Sequence, residues 1–556
     1  MTPSARLSRP SAPPTGTFDT TSDCRVRGRL SSLRSDVPGS GGGFDLGLLS
    51  PVTAGHEDPV SDVAVLEALV AAEIHLVEAF AAVGGLDQVP DRQRVLDEAR
   101  ELASHSFVER GAPATSRDAE TPAGIEPRDL ALAAVAGGNP VIPLVKELKR
   151  VAGPAVKPWV HRGATSQDIL DTALMIVAKD AAGHVLAGLD LAIDALDRFA
   201  REHRGEVAAA RTLTQHAVPT TTGLRAATWA RAIRRARLRL TATRDALPAQ
   251  LGGAGGTLAS FVQLLGPDRA ARLPVAYADA AGLAAPDAPW HTMRWPVTEL
   301  GDALVQAIDA LGVLAADVAT LSRTEIGELA EGTGGGSSAM PQKQNPARSV
   351  MIRSAALRAP HLGATLHTAA ALAVDERPDG AWHAEWPTLR ELLRLALGAS
   401  AHAAALAEGL RGDAVAVARN LEATRGLLIA ERLSIVLGPI IGADAVSEIV
   451  RAASLGSDLA LLVHNALDAA NTAVPHSLDD LLDPAAYTGL AHYLVDGELG
   501  EGPFGLGTGA IEIVDPTAPA AEPEHGPYDP FDDGSQLPAA PPRPRGFDPF
   551  ADPFTS

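Results

Sequence analysis

Apolar residues recur every three or four positions through most of this chain, which is the spacing of one face of an α-helix. The pattern begins at Asp62 and stops at Gly84-Gly85, so it predicts a first helix there. Two longer stripes follow at residues 186–199 and 300–321. Stripes of this length are typical of helices that pack side by side in a bundle. The pattern therefore predicts an all-α protein with a long central helical bundle.

Changes in composition divide the chain into five parts. Residues 1–43 are rich in Ser, Pro, Gly and Arg without periodicity, and we predict a disordered leader. After this leader, we expect a small helical N-terminal domain at 44–150, the central bundle at 151–398 and a helical C-terminal domain at 399–500. Residues 501–556 are rich in Pro and Asp and repeat an Asp-Pro-Phe unit. We predict a disordered tail; its alternative role is a short-motif ligand for an unknown partner.

Charge and cysteine content exclude several classes of function. The net charge is −21 with a pI near 5.2, which argues against a nucleic acid or an anionic membrane as partner. An anionic substrate stays possible where cations gather locally. Cys24 is the single cysteine, so an intrachain disulfide and a cysteine-built zinc site are excluded, and a cytoplasmic location fits.

Other sequence signals for membranes and metals are missing. The N-terminus has no apolar core of signal-peptide length, and no stretch of about 18 uninterrupted apolar residues suggests a membrane span. The sequence contains no His-x-x-x-His pair. We therefore predict no membrane association and no bound metal.

The segment most suggestive of chemistry is residues 334–346, with three glycines, paired serines, a lysine and an asparagine between two helical patterns. A helix-to-helix linker is the simplest interpretation, because glycine beside serine is ordinary linker composition. The ordered Met-Pro-x-Lys-x-Asn-Pro spacing instead favours a loop that moves and binds a carboxylate. Its candidate donors are Ser337, Ser338, Lys343 and Asn345.

Three further segments concentrate polar side chains. Residues 161–168 place hydroxyls ahead of a helical pattern, where an anion binds readily, although a simple N-cap would explain them equally well. Residues 211–221 combine a cation, hydroxyls, an amide and an imidazole, and residues 376–386 place charges beside two tryptophans. The candidate site residues in these segments are Thr165, Ser166, Arg211, Thr212, Gln215, His216 and Arg377.

Together these segments resemble the fumarase/aspartase superfamily, whose Gly-Ser-Ser-x-Met-Pro-x-Lys-x-Asn-Pro loop is complete at residues 336–346. Residues 163–168, 211–216, 251–257 and 376–386 are most similar to its 3-carboxy-cis,cis-muconate cycloisomerase branch. The resemblance covers about residues 44–495. It implies a three-part helical fold and a homotetramer in which three subunits build each active site. It also implies a small polycarboxylate substrate and no cofactor.

The resemblance also implies roles for the candidate residues. It makes Ser337 the proton-transfer group, with Ser338 contributing donors, and leaves Lys343 and His216 as competing proton donors. The expected carboxylate ligands are Lys343, Asn345, Thr165 and Ser166, and for the remaining carboxylates Arg211, Thr212, Gln215 and Arg377.

The branch implies lactonisation of 3-carboxymuconate to 4-carboxymuconolactone in aromatic degradation. A lyase of the adenylosuccinate or argininosuccinate type is the alternative, and a non-catalytic structural protein is a further one. One departure matters, because Leu213 stands where those lyases carry a histidine that assists proton transfer. A leucine cannot move a proton, so we expect more of the proton chemistry to fall on residues 334–346, which we call the serine loop.

Overall fold

The computed structural model describes residues 45–104, 125–332, 335–336, 340, 342–471 and 477–498. The predicted leader and tail lie outside the described residues, and so do Ser337 and Ser338. The three-part division of the remaining chain stays a prediction.

The N-terminal part confirms the helix expected from Asp62. Ser61 caps that helix, because its hydroxyl accepts the Ala64 N–H at 3.2 Å. Gly84 follows the helix end with φ of 78°, a left-handed conformation that ends helices. A 3₁₀ turn at Asp58–Val60 precedes four helices: α1 (Asp62–Ala82), α2 (Arg92–Ser104), α3 (Pro127–Ala134) and α4 (Val141–Val151).

Five long helices form the central bundle, and two short ones lie in a connection between them. In chain order they are α5 (Ser166–Glu202), α6 (Thr222–Asp245), α7 (Ala259–Leu265), α8 (Pro267–Ala281), α9 (Trp295–Leu321), α10 (Ala347–Ala371) and α11 (Gly380–Glu408). The two predicted stripes lie in α5 and α9 and face the core, where Leu189, Leu196, Leu300 and Leu311 are buried. The all-α fold with a central helical bundle is therefore confirmed.

Two of these helices, α5 and α9, are long and apolar enough to cross a membrane by length and composition alone. Within the described residues, α5 packs against α6 and α11, and α9 packs against α10 and α6. The most apolar window of α5 is 61% buried and that of α9 is 44% buried. Core helices of this kind pass the same composition test, so the helices by themselves are weak evidence for a membrane.

Two short antiparallel ribbons interrupt the helices. The first pairs β1 (Val207–Thr212) with β2 (Gln215–Thr221), and the second pairs β3 (Leu329–Ala330) with β4 (Arg411–Gly412). Helical periodicity could not reveal them, because β3 and β4 have two residues each, and apolar and polar residues do not alternate in β1 and β2. Both ribbons lie beside candidate site segments.

The C-terminal part has its own small hydrophobic core, built from residues such as Leu433, Leu437, Val463 and Leu481. Its described residues form six helices and two 3₁₀ turns: α12 (Ala414–Glu422), Leu427–Ile429, α13 (Ala430–Ile441), α14 (Ala443–Ser454), α15 (Leu459–Ala470), α16 (Leu478–Leu482), Pro484–Tyr487 and α17 (Ala491–Glu498).

A buried cluster of charges joins three bundle helices at one end. Arg294, directly before α9, contacts Asp171 of α5 through Nη1 at 2.7 Å and Glu385 of α11 through Nη2 at 2.7 Å. Trp382 adds an Nε1–H bond to Asp171 at 2.8 Å. Burial opposes the charge on Arg294, yet the two carboxylates raise its pKa above the usual value. The cluster therefore keeps one cation and its carboxylates inside the core.

We expect Arg294→Met to lower the free energy of unfolding by about 3–5 kcal/mol, because it leaves two buried carboxylates without their cation. Chemical denaturation at fixed protein concentration measures the change. Arg451→Met is the matched control, since Arg451 and Glu448 are both more than half exposed. That control should change stability by less than about 1 kcal/mol. Equal effects of the two variants would contradict the structural role of the Arg294 cluster.

Candidate functional site

The start of α5 and the segment before α11 meet in one corner, which we call the Thr165–Arg377 corner. Nη2 of Arg377 donates to Oγ1 of Thr165 at 2.5 Å and to the carbonyl oxygen of Ala254 at 3.2 Å. Ser166 is the first residue of α5, so the positive end of the helix dipole faces this corner. A guanidinium, a hydroxyl and a helix N-terminus together suit a carboxylate ligand.

Two buried carboxylates fix the backbone around the Thr165–Arg377 corner by accepting its N–H groups. Asp168 is completely buried and accepts hydrogen bonds from the backbone N–H groups of Thr165 and Gly253 at 3.0 and 2.9 Å. Glu73 of α1 is equally buried and contacts His161, accepting its backbone N–H at 2.9 Å and meeting Nδ1 at 2.7 Å. Sequence reasoning missed Glu73; its one signal is a carboxylate within an apolar helical stripe. The N-cap interpretation of residues 161–168 placed Asp168 in the first turn of the helix and gave it no further role.

Another buried carboxylate, Glu328, organises the first β-ribbon. Glu328 accepts two hydrogen bonds from Arg211, one of them from Nη1 at 3.1 Å, and lies 3.3 Å from Nη1 of Arg225. Asn420 of α12 donates to the same carboxylate at 2.9 Å. Burial acts to raise the pKa of Glu328, but hydrogen bonds from Arg211 and Asn420 outweigh it and lower that pKa. Arg211 is therefore held by the protein, with its orientation fixed.

His216 lies opposite Arg211 in the ribbon and is half-buried. Burial and the neighbouring Arg211 cation lower the pKa of His216, with Glu328 opposing them. The imidazole is therefore neutral at pH 7, and a neutral ring accepts a proton or a hydrogen bond on one nitrogen.

The tip of this ribbon carries two residues in a left-handed conformation. Leu213 and Thr214 have φ of 48° and 73°, as a two-residue type I′ turn requires. Such angles cost a residue with a Cβ about 1–2 kcal/mol. Leu213 is 95% exposed at the tip, and the predicted ligands Thr212 and Gln215 are exposed beside it. The tip of the ribbon thus exposes Thr212, Leu213 and Gln215 to the surroundings of the chain.

The serine loop is anchored at both ends. Glu331, ahead of the loop, accepts the N–H of Ser349 at 2.8 Å and so caps α10 just after the loop. Gly335 and Asn345 exchange two backbone hydrogen bonds at 2.9 and 3.0 Å, which places Asn345 at the base of the loop. Lys343 is exposed, and its N–H donates to the carbonyl oxygen of Met340 at 3.0 Å.

A single chain brings the predicted site residues together in two groups. The Thr165–Arg377 corner lies at the start of α5, whereas the β1–β2 ribbon follows the end of that helix. A helix of 37 residues is about 55 Å long. A six-residue strand spans at most about 20 Å, so even a strand running straight back along the helix would leave about 35 Å between the groups. Arg211 instead bonds Glu328, which directly precedes β3 and the serine loop.

The donors at both ends suit an anionic organic ligand. They are guanidinium, hydroxyl, amide and backbone N–H groups, which bind carboxylates through charge-assisted hydrogen bonds. Among the described residues, no group of three or more His, Cys, Asp or Glu side chains could hold a metal ion.

We expect Glu328→Gln to lower the free energy of unfolding by about 3 kcal/mol at pH 7, because Arg211 and Arg225 lose their shared counter-charge. Since the pKa of Glu328 is lowered on folding, its ionised form stabilises the protein above the unfolded value near 4.5. That contribution disappears as the pH falls through the lowered pKa. Denaturation curves from pH 7 to pH 3 should therefore show the difference between wild type and variant shrinking below about pH 4.5. A constant difference would contradict this assignment.

Comparison with known proteins agrees with the fold and the loop. A family model described as lyase matches residues 137–360. The chain is 44% identical over 472 residues to nitrosuccinate lyase of Streptomyces davaonensis, covering 82% of this chain and 95% of that protein. It is 40% identical over 388 residues to 3-carboxy-cis,cis-muconate cycloisomerase of Pseudomonas aeruginosa, covering 68% of this chain and 83% of that protein.

A solved structure shares the architecture. The 3-carboxy-cis,cis-muconate lactonizing enzyme from Pseudomonas putida superposes with a TM-score of 0.70 at 32% identity, covering 82% of this chain and 98% of that one. Identity at this level over nearly the whole length of the relatives extends the agreement well beyond the loop motif. The chain is therefore an enzyme that belongs to the fumarase/aspartase superfamily.

Proposed function

We propose that this enzyme eliminates nitrite from nitrosuccinate to give fumarate. The observation that carries the proposal is the 44% identity to nitrosuccinate lyase across 95% of that protein. The Thr165–Arg377 corner supports it, because a dicarboxylate needs cationic and hydroxyl donors at each end.

The elimination breaks two bonds on neighbouring carbons. A base removes a proton from the carbon beside one carboxylate, which leaves a carbanion whose charge that carboxylate shares. The electron pair then forms the carbon–carbon double bond as the C–N bond breaks, and nitrite leaves with the electron pair of that bond. Charge accumulates on the carboxylate next to the deprotonated carbon, so donors aimed at that group lower the barrier. The superfamily resemblance gives the base role to Ser337 and the donor roles to Lys343 and Asn345.

Nitrite as the leaving group is consistent with Leu213, which stands where other lyases of the superfamily carry a histidine. Nitrite is a stable anion and leaves carbon without first taking up a proton, whereas an amine needs an acid. A chain with an apolar side chain at the ribbon tip, and a neutral His216 beside it, suits such a leaving group.

Lactonisation of 3-carboxy-cis,cis-muconate to 4-carboxymuconolactone is the second candidate. Its specific support is the 40% identity to the Pseudomonas aeruginosa cycloisomerase and the shared fold of the Pseudomonas putida enzyme. There the substrate's own carboxylate attacks its double bond while a proton is delivered beside another carboxylate. Both reactions pass through the same kind of carboxylate-stabilised carbanion, so the same donors serve either one.

A substrate comparison with purified protein separates the two candidates. We expect nitrosuccinate to yield nitrite and fumarate in equal amounts, and 3-carboxymuconate to keep its ultraviolet absorbance. Ser337→Ala should lower the nitrite rate by at least about 100-fold without changing the oligomer, because it removes the proton-transfer group. Loss of the muconate absorbance with no nitrite release would replace the first candidate by the second.

We also propose that the enzyme works as a homotetramer with sites shared between subunits. The separation of about 35 Å between the two groups of site residues supports this, because one chain cannot bring them to one substrate. Exposed apolar side chains on the bundle helices support it too. They include Leu191, Val313, Val350 and Leu357.

Mixing two inactive variants tests the shared site. Arg377→Met disables the corner and Ser337→Ala disables the loop, so a mixed oligomer would contain some sites with both groups intact. We expect partial recovery of activity after the two proteins are unfolded and refolded together. The same treatment of each variant alone is the control. Failure to recover activity in mixed oligomers of confirmed composition would contradict the shared site.

A further inference from the structure

A buried pair, Asp168 and His291, lies directly beneath the Thr165–Arg377 corner. Asp168 is completely buried, and the His291 side chain is 4% exposed. Nε2 of His291 lies 3.0 Å from Oδ1 of Asp168. A carboxylate only accepts hydrogen bonds, so Nε2 carries the proton in this contact.

The carboxylate of Asp168 joins two separate backbone segments. Oδ2 accepts the N–H groups of Thr165 and Gly253, and Oδ1 accepts the N–H of Gly252 at 2.8 Å in addition to the His291 contact. Thr165 belongs to the start of α5, whereas the glycines belong to the loop before α7. The four donors together occupy the hydrogen-bonding capacity of one carboxylate.

Arg377 bridges the same two segments from the outer side. Its Nη2 group donates to Thr165 and to Ala254, the residue after Gly253. The position of the guanidinium is thus set by two segments whose mutual position Asp168 fixes. A shift of the glycine loop would move both the Thr165 hydroxyl and Arg377.

The His291 ring packs tightly beneath the glycine loop. A Cβ at Gly252 would lie 2.9 Å from Cε1 of His291 and 2.8 Å from Pro289, so this position has no room for a side chain. Nδ1 of His291 is buried without a hydrogen-bond partner among the described residues. The ring therefore donates one hydrogen bond to the carboxylate and packs against the glycine loop.

We propose that Asp168 and His291 are positioning residues for substrate binding, which hold the Thr165–Arg377 corner in the geometry that receives a substrate carboxylate. They act through the backbone of the glycine loop and through Thr165, without touching the substrate. The inference rests on the proposed function in one respect, namely that the ligand of the corner is a dicarboxylate. It assigns these two residues to substrate affinity, and leaves bond breaking to other groups.

The central test is Asp168→Asn, which keeps the size of the side chain but leaves only one acceptor oxygen. We expect KM for nitrosuccinate to rise about tenfold or more, because a displaced Arg377 weakens the charge-assisted hydrogen bonds to the substrate carboxylate. The kcat value should stay within about threefold, since binding in the ground state and in the transition state weakens alike.

Asp171→Asn is the matched control. Asp171 lies in the same helix, is equally buried, and bonds Arg294 and Trp382 instead of the corner. We expect this variant to lower stability at least as much as Asp168→Asn while leaving KM unchanged. A rise in KM that is equal in the two variants, or a loss of kcat alone in Asp168→Asn, would overturn the inference.

Two variants of His291 provide a second route if Asp168→Asn folds poorly. His291→Gln keeps an N–H donor for Asp168 and should retain most of the affinity. His291→Phe keeps the ring but removes the donor, so KM should rise several-fold. Equal KM values for these two variants would contradict a role through the Asp168 hydrogen bond.

Two measurements without turnover separate this inference from the proposed function. Calorimetric titration with succinate should show binding to wild type and to Asp171→Asn, and weaker binding to Asp168→Asn. Amide hydrogen exchange of residues 252–256 should be faster in Asp168→Asn alone. A wild type that binds no succinate contradicts the proposed function, and the exchange rates then decide the inference. Unchanged exchange in Asp168→Asn overturns it.

Discussion

The Arg294 guanidinium, held between Asp171 and Glu385, is the interaction on which the alignment of three bundle helices depends. It fixes the start of α9 against α5 and α11. Both carboxylates keep their cation only while these three helices hold this arrangement. Removing charges from water is costly, so the cluster adds little net stability compared with an apolar core. What it provides is a unique alignment, because an Arg294 displaced by one helical turn would leave two buried carboxylates unpaired.

Carboxylates that accept several hydrogen bonds recur wherever a site segment needs a fixed position. Asp168 holds the start of α5 against the glycine loop, Glu328 holds Arg211 of the ribbon, and Glu331 caps α10 behind the serine loop. Each one accepts hydrogen bonds from backbone N–H groups or arginines that would otherwise be free to move. The exposed polar residues are thus presented by rigid supports, and the long helices keep the two groups of residues far apart within one chain.

That separation links the fold to the chemistry. Both candidate reactions place developing charge on one carboxylate while other donors hold a second carboxylate. A corner at one end of the bundle and a ribbon with the serine loop at the other suit this division, provided that neighbouring subunits bring opposite ends together. The two candidates differ mainly in the leaving or attacking group. The loop motif cannot separate them, because its proposed role concerns the carbanion that both reactions share.

The sequence alone determined the helical fold, the first helix, the two core stripes and the polar segments, because each depends on local periodicity or on a contiguous motif. It identified Thr165 and Arg377 separately, 212 residues apart, and only the tertiary structure put Arg377 on the Thr165 hydroxyl. It gave no sign that Arg211 pairs with Glu328, that Glu73 meets His161, or that His291 and Asp168 form a pair. Those contacts join residues from distant parts of the chain, and the packing of long helices decides them. Burial then gives these charged groups their role, since a carboxylate positions its neighbours firmly only where water cannot compete for its hydrogen bonds.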